Sequence, residues 1–266
     1  MRFDPIRMPR GGAPHLSLPR RPMAAALPHA CTTLAATALT MTVAASVLVA
    51  QAVMAWPLLP LSLALFLPVA GFVVWRIDDH PHDRFGPANI VTAARGGMAA
   101  LIGASAWEYG ALTPADSHLQ WALAATVLLA LSLDGIDGFL ARRTGLASRF
   151  GERFDMEVDA YLILMLCALA FASGKAGVFV FAIGLMRYAF VAAAAFDPRL
   201  ARPLPPSLRR KTVCVLQIAL LCLVLLPPVV PPLSQALAAL ALAALALALL
   251  AWSFAVDVRI LVRVRA

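Results

Sequence analysis

The two stretches of sequence that decide the fold read DGIDGFLAR at residues 134–142 and GERFDMEVD at residues 151–159. They place four aspartates, Asp134, Asp137, Asp155 and Asp159, in a chain that is 62% hydrophobic and only 14% charged. A charged side chain at membrane depth costs free energy and usually faces a binding site or a water-filled cavity. We therefore interpret the four carboxylates as functional.

The four carboxylates are spaced as two pairs, each on one face of a helix. Asp134 and Asp137 are three residues apart near the end of one apolar run, and Asp155 and Asp159 are four apart at the start of the next. The segment between them, Arg142–Arg153, holds four arginines and two glycines, which is typical of a short turn in water. Two antiparallel helices joined by this turn would bring the pairs together.

Four like charges at close range repel each other unless some are protonated or a cation is bound. The set offers only oxygen ligands and no histidine or cysteine, which favours hard ions such as Mg²⁺ or Mn²⁺ over zinc. Two divalent ions would neutralise four carboxylates, and a pair of ions about 3.5–4 Å apart is the usual clamp for displacement at phosphorus. The alternative interpretation is a structural ion-pair cluster of the aspartates with Arg142 and Arg149.

Small residues and an arginine accompany the carboxylates. Gly138 and Gly151 have no side chain, so a ligand can approach the backbone closely at these positions. Arg142 follows Gly138 by one helical turn, which allows its guanidinium to reach a phosphate placed over the glycine. Carboxylates, glycines and arginine in this order indicate a diphosphate site.

The whole pattern from 134 to 159 resembles, at every fixed position, the signature of the CDP-alcohol phosphotransferases, also called the CDP-alcohol phosphatidyltransferase family. Residues 87–95, PANIVTAAR, resemble the first core helix of that family, often P-N-x-x-T-x-x-R, with Ala88 as a small departure. The resemblance covers roughly residues 85–266 and implies a six-helix membrane core.

The resemblance also implies roles for individual residues. Asp134, Asp137 and Asp155 would bind metal, and Asp159 would contact metal and act as the catalytic base. The residues around the CDP group and other substrate groups would be Gly138, Ala141, Arg142, Gly151, Asn89, Thr92 and Arg95. For Arg95 we favour a polar-substrate role over snorkelling to the interface.

Two further basic residues have two interpretations each. Arg187 lies in the middle of an apolar run, where it would contact substrate or pair with a helical neighbour. Lys211 opens the seventh run, where it would bind substrate or serve as a positive-inside anchor. The four cysteines lie in apolar runs without metal-ligand spacing and are interpreted as reduced core residues.

Composition predicts an all-α integral membrane protein, because apolar runs long enough to span a bilayer recur along the chain. We predict eight spans, with seven as the alternative because the second run is short and rich in proline. They cover 31–54, 57–75, 88–111, 118–140, 155–173, 177–196, 212–229 and 233–256. The predicted organisation is a basic, disordered cytoplasmic tail (1–30), two extra transmembrane helices (31–79) and the CDP-alcohol phosphotransferase domain (80–266).

Charge placement predicts the orientation. Arginine and lysine concentrate in the tail, in every second connector and at the C-terminal end, whereas the other connectors hold only Lys175. This asymmetry places both termini and the aspartates on the cytoplasmic side, in what we expect to be the inner (plasma) membrane of a bacterium. The net charge of +8 is thus explained by the basic residues of the predicted cytoplasmic segments, and nucleic-acid binding is not expected. A signal peptide or an organelle transit peptide is the alternative for the N-terminal region.

The predicted function is transfer of a phosphatidyl (substituted phosphate) group from a CDP-linked lipid, in first place CDP-diacylglycerol, to the hydroxyl of a small alcohol or phosphorylated alcohol, with release of CMP. The expected cofactors are two Mg²⁺ or Mn²⁺ ions; the partners are the two substrates and membrane lipids, and a homodimer is left open. The alternatives are a prenyltransferase that uses polyprenyl diphosphates and an ion-coupled transporter with the aspartates as its ion site.

Overall fold

The computed structural model describes residues 26–109, 117–197, 199–200, 202, 207–226 and 232–263. Within them the chain forms eight α-helices and no strand: α1 (Ala26–Ala50), α2 (Leu58–Arg76), α3 (Pro87–Tyr109), α4 (Ser117–Thr144), α5 (Arg149–Ala172), α6 (Phe181–Phe196), α7 (Leu208–Leu225) and α8 (Pro232–Arg263). The predicted all-α class is therefore confirmed, and each of the eight predicted spans overlaps one helix. Residues 1–25 of the predicted tail lie outside the described residues, and α1 begins at Ala26, five residues before the predicted span.

Six of the eight helices are long and apolar enough to cross a membrane. The other two, α5 and α7, carry charged residues in their N-terminal halves: Asp155 and Asp159 with their neighbours in α5, and Arg209, Arg210 and Lys211 in α7. The remainder of each helix is apolar. This composition is that of an integral membrane protein.

The turn between α4 and α5 is shorter than the predicted segment Arg142–Arg153. Helix α4 continues to Thr144 and α5 begins at Arg149, so only four residues separate them. Gly145, with a φ of +68°, ends α4 in the left-handed conformation that glycine adopts readily. Ser148 caps α5, because its side chain accepts a hydrogen bond from the backbone N–H of Gly151. The arginines of this segment therefore belong to helices.

Helix α3 is the central element of the fold, in contact with α1, α2, α4 and α5. Glycines allow these helices to approach closely: a Cβ on Gly96 would lie 2.7 Å from Val69 of α2, and one on Gly97 would lie 2.7 Å from Thr37 of α1. Close approach through small residues is the common way in which helices pack inside membranes. The two N-terminal helices are thus packed directly on the helix that carries Arg95.

Gly184 provides a test of this packing. A Cβ at this position would lie 2.9 Å from the backbone Cα of Leu164, so Gly184→Ala should force α5 and α6 apart. We expect a loss of about 1–3 kcal/mol of stability, the usual cost of overpacking. The matched control is Gly71→Ala in α2, where a Cβ would meet nothing within 4 Å. Thermal unfolding in detergent measures both; equal midpoints for the two variants would contradict the close packing.

Candidate active site

Arg95 lies at the centre of the four predicted aspartates. Its side chain is fully buried, although it lies on a helix otherwise lined with small apolar residues. Nη1 donates to Asp137 at 2.9 Å and to Asp155 at 2.6 Å, while Nη2 contacts Asp134 at 3.2 Å and donates to Asp159. One guanidinium thus binds carboxylates from α4 and α5 simultaneously.

The rest of the guanidinium and the most buried carboxylate are also fixed by hydrogen bonds. Arg95 Nε donates to the backbone oxygen of Ala130 at 3.1 Å, which holds the plane of the guanidinium against α4. Asp137 accepts from Thr92 Oγ1 at 3.3 Å and from the backbone N–H of Gly138 at 2.6 Å, in addition to Arg95. Asp137 therefore has a single well-determined position.

The carboxylates fit a divalent cation. Oxygen atoms of Asp134, Asp137 and Asp155 all lie within 4.8 Å of one another, so one ion could contact all three. Four carboxylates against one guanidinium leave three negative charges, because Arg95 neutralises only one. An oxygen-only set with excess negative charge is the ligand chemistry of Mg²⁺ and Mn²⁺. The aspartate trio could therefore hold a metal ion.

The alternative of a cluster with other arginines does not hold. In the described part of the chain the four aspartates form their ion pairs with Arg95, and neither Arg142 nor Arg149 pairs with them. Arg95 holds the four carboxylates together, and its predicted role towards a polar substrate stays a prediction.

Asp159 is distinct from the other three aspartates. It lies outside the trio that could share an ion, one turn further along α5. Its Oδ1 accepts from Arg95, while its Oδ2 accepts a weak hydrogen bond from the thiol of Cys214 on α7 at 3.5 Å. Sequence reasoning interpreted Cys214 as a core residue and missed this contact, since nothing in the spacing of α7 links it to α5. Asp159 is thus the carboxylate that faces α7.

The glycines of the motif have different surroundings. A Cβ on Gly138 would meet only Arg142 Nη1 at 3.5 Å, so the space above this glycine is open and Arg142 lies beside it, as the i, i+4 spacing predicts. A Cβ on Gly151 would lie 3.0 Å from Asn89 Oδ1. Gly151 therefore allows a close approach of the protein's own Asn89, whereas the sequence argument assigned that space to a ligand. Ala141 lies half-buried on α4, one turn after Gly138.

Asn89 and Thr92 lie on the face of α3 that carries Arg95. Asn89 is buried and its amide donates to the backbone oxygen of Phe85, one turn earlier in the chain. Thr92 is also buried; it donates to Ala88 at 3.1 Å and to Asp137. Thr92 therefore belongs to the wall of the aspartate cluster, whereas Asn89 approaches Gly151 of α5; the predicted contact of both with substrate stays a prediction.

The structure pairs Arg187 with a helical neighbour, the second of its two interpretations. Its guanidinium binds Glu157 of α5 through two hydrogen bonds, Nη2–Oε1 at 2.5 Å and Nε–Oε2 at 3.3 Å. Glu157 lies between Asp155 and Asp159 in sequence but on another face of the helix. Arg187 is therefore not part of the aspartate cluster, and its contact with substrate stays a prediction.

The three basic residues at the start of α7 differ in their partners and their exposure. Arg209 and Arg210 both bind Asp257 of α8, and Arg209 also donates to Ser253 Oγ at 2.7 Å. Lys211 is exposed, one turn before Cys214. Of the three, Lys211 alone is exposed, and its predicted substrate role stays a prediction.

Charge replacement at Arg95 tests the cluster. Arg95→Gln removes the only guanidinium among four carboxylates, so we expect a loss of about 3–5 kcal/mol of stability in EDTA. Added Mn²⁺ should restore most of it, because the ion supplies the missing positive charge. The matched control is Arg187→Gln, which breaks a half-buried ion pair away from the cluster. Thermal unfolding with and without Mn²⁺ measures both; equal recovery in the two variants would contradict the metal fit.

Comparison with known proteins agrees with this geometry. The chain matches the CDP-alcohol phosphatidyltransferase family model over residues 86–252, which include α3 to α7 and all four aspartates. No curated protein and no solved structure matches the chain significantly. The match covers more than half of the 266 residues and begins after α1 and α2. The chain therefore belongs to the CDP-alcohol phosphatidyltransferase family and is a membrane transferase that moves a phosphatidyl group from a CDP-alcohol to an alcohol.

Proposed function

We propose that this protein transfers the phosphatidyl group of a CDP-linked lipid, CDP-diacylglycerol in first place, to the hydroxyl of a small polar alcohol and releases CMP, as a step of phospholipid biosynthesis. The observation that carries the proposal is the convergence of Asp134, Asp137, Asp155 and Asp159 around Arg95 at one end of the helix pair α4–α5. A water-soluble headgroup and a lipid tail can both reach such a site only if it lies at the membrane surface.

The donor would bind over α4. The open space above Gly138 accepts a diphosphate close to the helix backbone, and the neighbouring Arg142 is exposed and able to form bidentate hydrogen bonds with phosphate oxygens. The acyl chains would then extend between helices towards the bilayer. Gly138, Ala141 and Arg142 are thus the proposed donor contacts.

The aspartates would hold two divalent ions, Mg²⁺ or Mn²⁺, with Asp134, Asp137 and Asp155 as the main ligands and Asp159 at the edge. Bound there, such ions neutralise the charge that develops on a diphosphate during displacement. Arg95 keeps the carboxylates of α4 and α5 in a fixed arrangement, so little reorganisation is needed when the substrate binds.

Asp159 is the proposed catalytic base. Its Oδ1 is occupied by Arg95, whereas its Oδ2 is held only by the weak thiol donor of Cys214. An acceptor hydroxyl can displace that donor and give its proton to Oδ2. The acceptor oxygen then bonds to the phosphorus distal to cytidine, and the bond from that phosphorus to the bridging oxygen breaks. The electron pair of the broken bond leaves with CMP.

The acceptor alcohol would approach from the α7 side, next to Cys214 and Lys211. Three arginines that could have bound a phosphorylated acceptor, Arg187, Arg209 and Arg210, form ion pairs with Glu157 or Asp257. This weakens the case for a phosphorylated alcohol, although Lys211 would suit one. A screen of alcohols with CDP-diacylglycerol, read as CMP release, identifies the acceptor; diphosphate release from a polyprenyl diphosphate would favour the prenyltransferase alternative.

Asparagine substitutions separate the roles of the aspartates. Asp155→Asn should weaken Mn²⁺ binding and abolish transfer, because it removes a ligand of the trio. Asp159→Asn should still bind Mn²⁺ and donor but slow CMP release by about 10²- to 10⁴-fold, the usual contribution of a positioned base. Wild-type protein should be inactive in EDTA. Near-normal turnover of Asp159→Asn at saturating acceptor would show that another group removes the proton.

Cysteine labelling tests the proposed cytoplasmic position of the site. Cys31 is exposed, so it is first replaced by serine. In intact cells a membrane-impermeant maleimide should label Ser173→Cys, which follows α5, and should spare Thr144→Cys at the end of α4. Permeabilised cells provide the control, since both should then react. The opposite pattern would place the aspartates outside the cell.

A further inference from the structure

The connector between α2 and α3 is packed against the start of α5 through one buried histidine. His80 Nε2 bonds the backbone oxygen of Arg84 at 2.8 Å, and its Nδ1 bonds Ser148 Oγ at 3.1 Å. A carbonyl oxygen can only accept, so Nε2 carries the proton and Nδ1 of the neutral ring accepts. Burial lowers the pKa of His80, which keeps this neutral form at pH 7.

Ser148 links this histidine to the helix that carries two of the aspartates. Its Oγ accepts from the backbone N–H of Gly151 at 3.0 Å and donates its own proton to His80. The resulting chain of hydrogen bonds runs from the connector into the first turn of α5. Asp155 follows one turn later and Asp159 two turns later.

Aromatic rings and a second hydrogen bond attach the same N-terminal segment to α5. Phe72 of α2 stacks on Phe150 and Phe154 with centroid distances of 6.4 and 6.0 Å, and the His80 ring lies 5.3 Å from Phe150. Further along α5, Tyr161 donates to the backbone oxygen of Leu65 in α2 at 2.5 Å. The contacts therefore bracket Asp155 and Asp159 from both sides.

We propose that α2 and the connector between α2 and α3 position the active-site helix α5, with His80 as the positioning residue. His80 lies before the family match, which begins at residue 86, so this device belongs to the added segment rather than to the core. It would fix Asp155 and Asp159 of α5 against Asp134 and Asp137 of α4. Supporting residues of this kind typically change metal affinity 10- to 100-fold when they are removed.

The inference rests on the proposed function, but its first test is metal binding rather than activity. Purified full-length protein is titrated with Mn²⁺ and followed by electron paramagnetic resonance, in parallel with CMP release. His80→Ala should weaken Mn²⁺ binding about tenfold and lower kcat with little change in the KM for the donor. The matched control is His82→Ala: this half-buried histidine of the same connector bonds the backbone oxygen of Ala147 at 3.3 Å and packs edge-on against the His80 ring, but it makes no bond to Ser148. It should remain near the wild type.

Two conservative variants distinguish a role of His80 in positioning α5 from a role in the folding of the connector alone. His80→Asn places an amide where Nδ1 lies and can keep the bond to Ser148, whereas His80→Gln reaches the position of Nε2 and can keep only the bond to Arg84. If the link to α5 matters, the asparagine variant should recover most of the Mn²⁺ affinity and the glutamine variant should not. The reverse order would overturn the proposal.

A double-mutant cycle with Ser148→Ala completes the test. Because His80 would act through Ser148, the double variant should be no worse than either single one, whereas independent effects would add. Additive losses, or equal Mn²⁺ affinity in His80→Ala and His82→Ala, overturn the positioning role while leaving the proposed function intact. Weaker Mn²⁺ binding by His80→Ala in a protein that releases no CMP would leave the positioning role and overturn the function. A wild-type protein that neither binds Mn²⁺ nor releases CMP would overturn both.

Discussion

The structure depends on one buried guanidinium, that of Arg95, which holds four carboxylates from two helices at one point. A charge without a partner is not tolerated in a membrane interior, and four carboxylates without a cation would drive α4 and α5 apart. Arg95 reduces that repulsion and still leaves three negative charges. The residual charge is what would attract a cation, because a fully balanced cluster would have no reason to bind an ion.

Placing Arg95 at this depth dictates the packing of the helix that carries it. Immediately after the arginine, Gly96 and Gly97 bring α3 within contact of α2 and α1. The two N-terminal helices pack against α3 at these glycines, and the connector that follows them reaches the cap of α5 through His80 and Ser148. The segment outside the family match thus contacts both α3, which carries Arg95, and α5, which carries two of the four aspartates.

Much of this could be predicted from the sequence. The apolar runs indicated eight helices, and the spacing of the aspartates indicated two helix faces that meet, because both follow from local periodicity. The role of Arg95, the contact of Cys214 with Asp159 and the pairing of Arg187 with Glu157 could not be predicted, since each depends on which helices become neighbours. Gly151 illustrates the limit: its spacing is that of the motif, but the space it opens is filled by Asn89 of another helix.

The ion pairs of the molecule are of two kinds: in some the charges balance, and in the aspartate cluster they do not. Glu157 and Arg187 form a neutral pair, and Asp257 is shared by Arg209 and Arg210, so neither group attracts a further cation. The aspartate cluster alone among these three has an excess of negative charge, and it alone lies beside an open glycine and an exposed arginine. Residues of identical type in the same membrane protein therefore differ in role because of their neighbours. A carboxylate whose charge is balanced by the protein stabilises the fold, and a carboxylate whose charge is not balanced is available for a ligand.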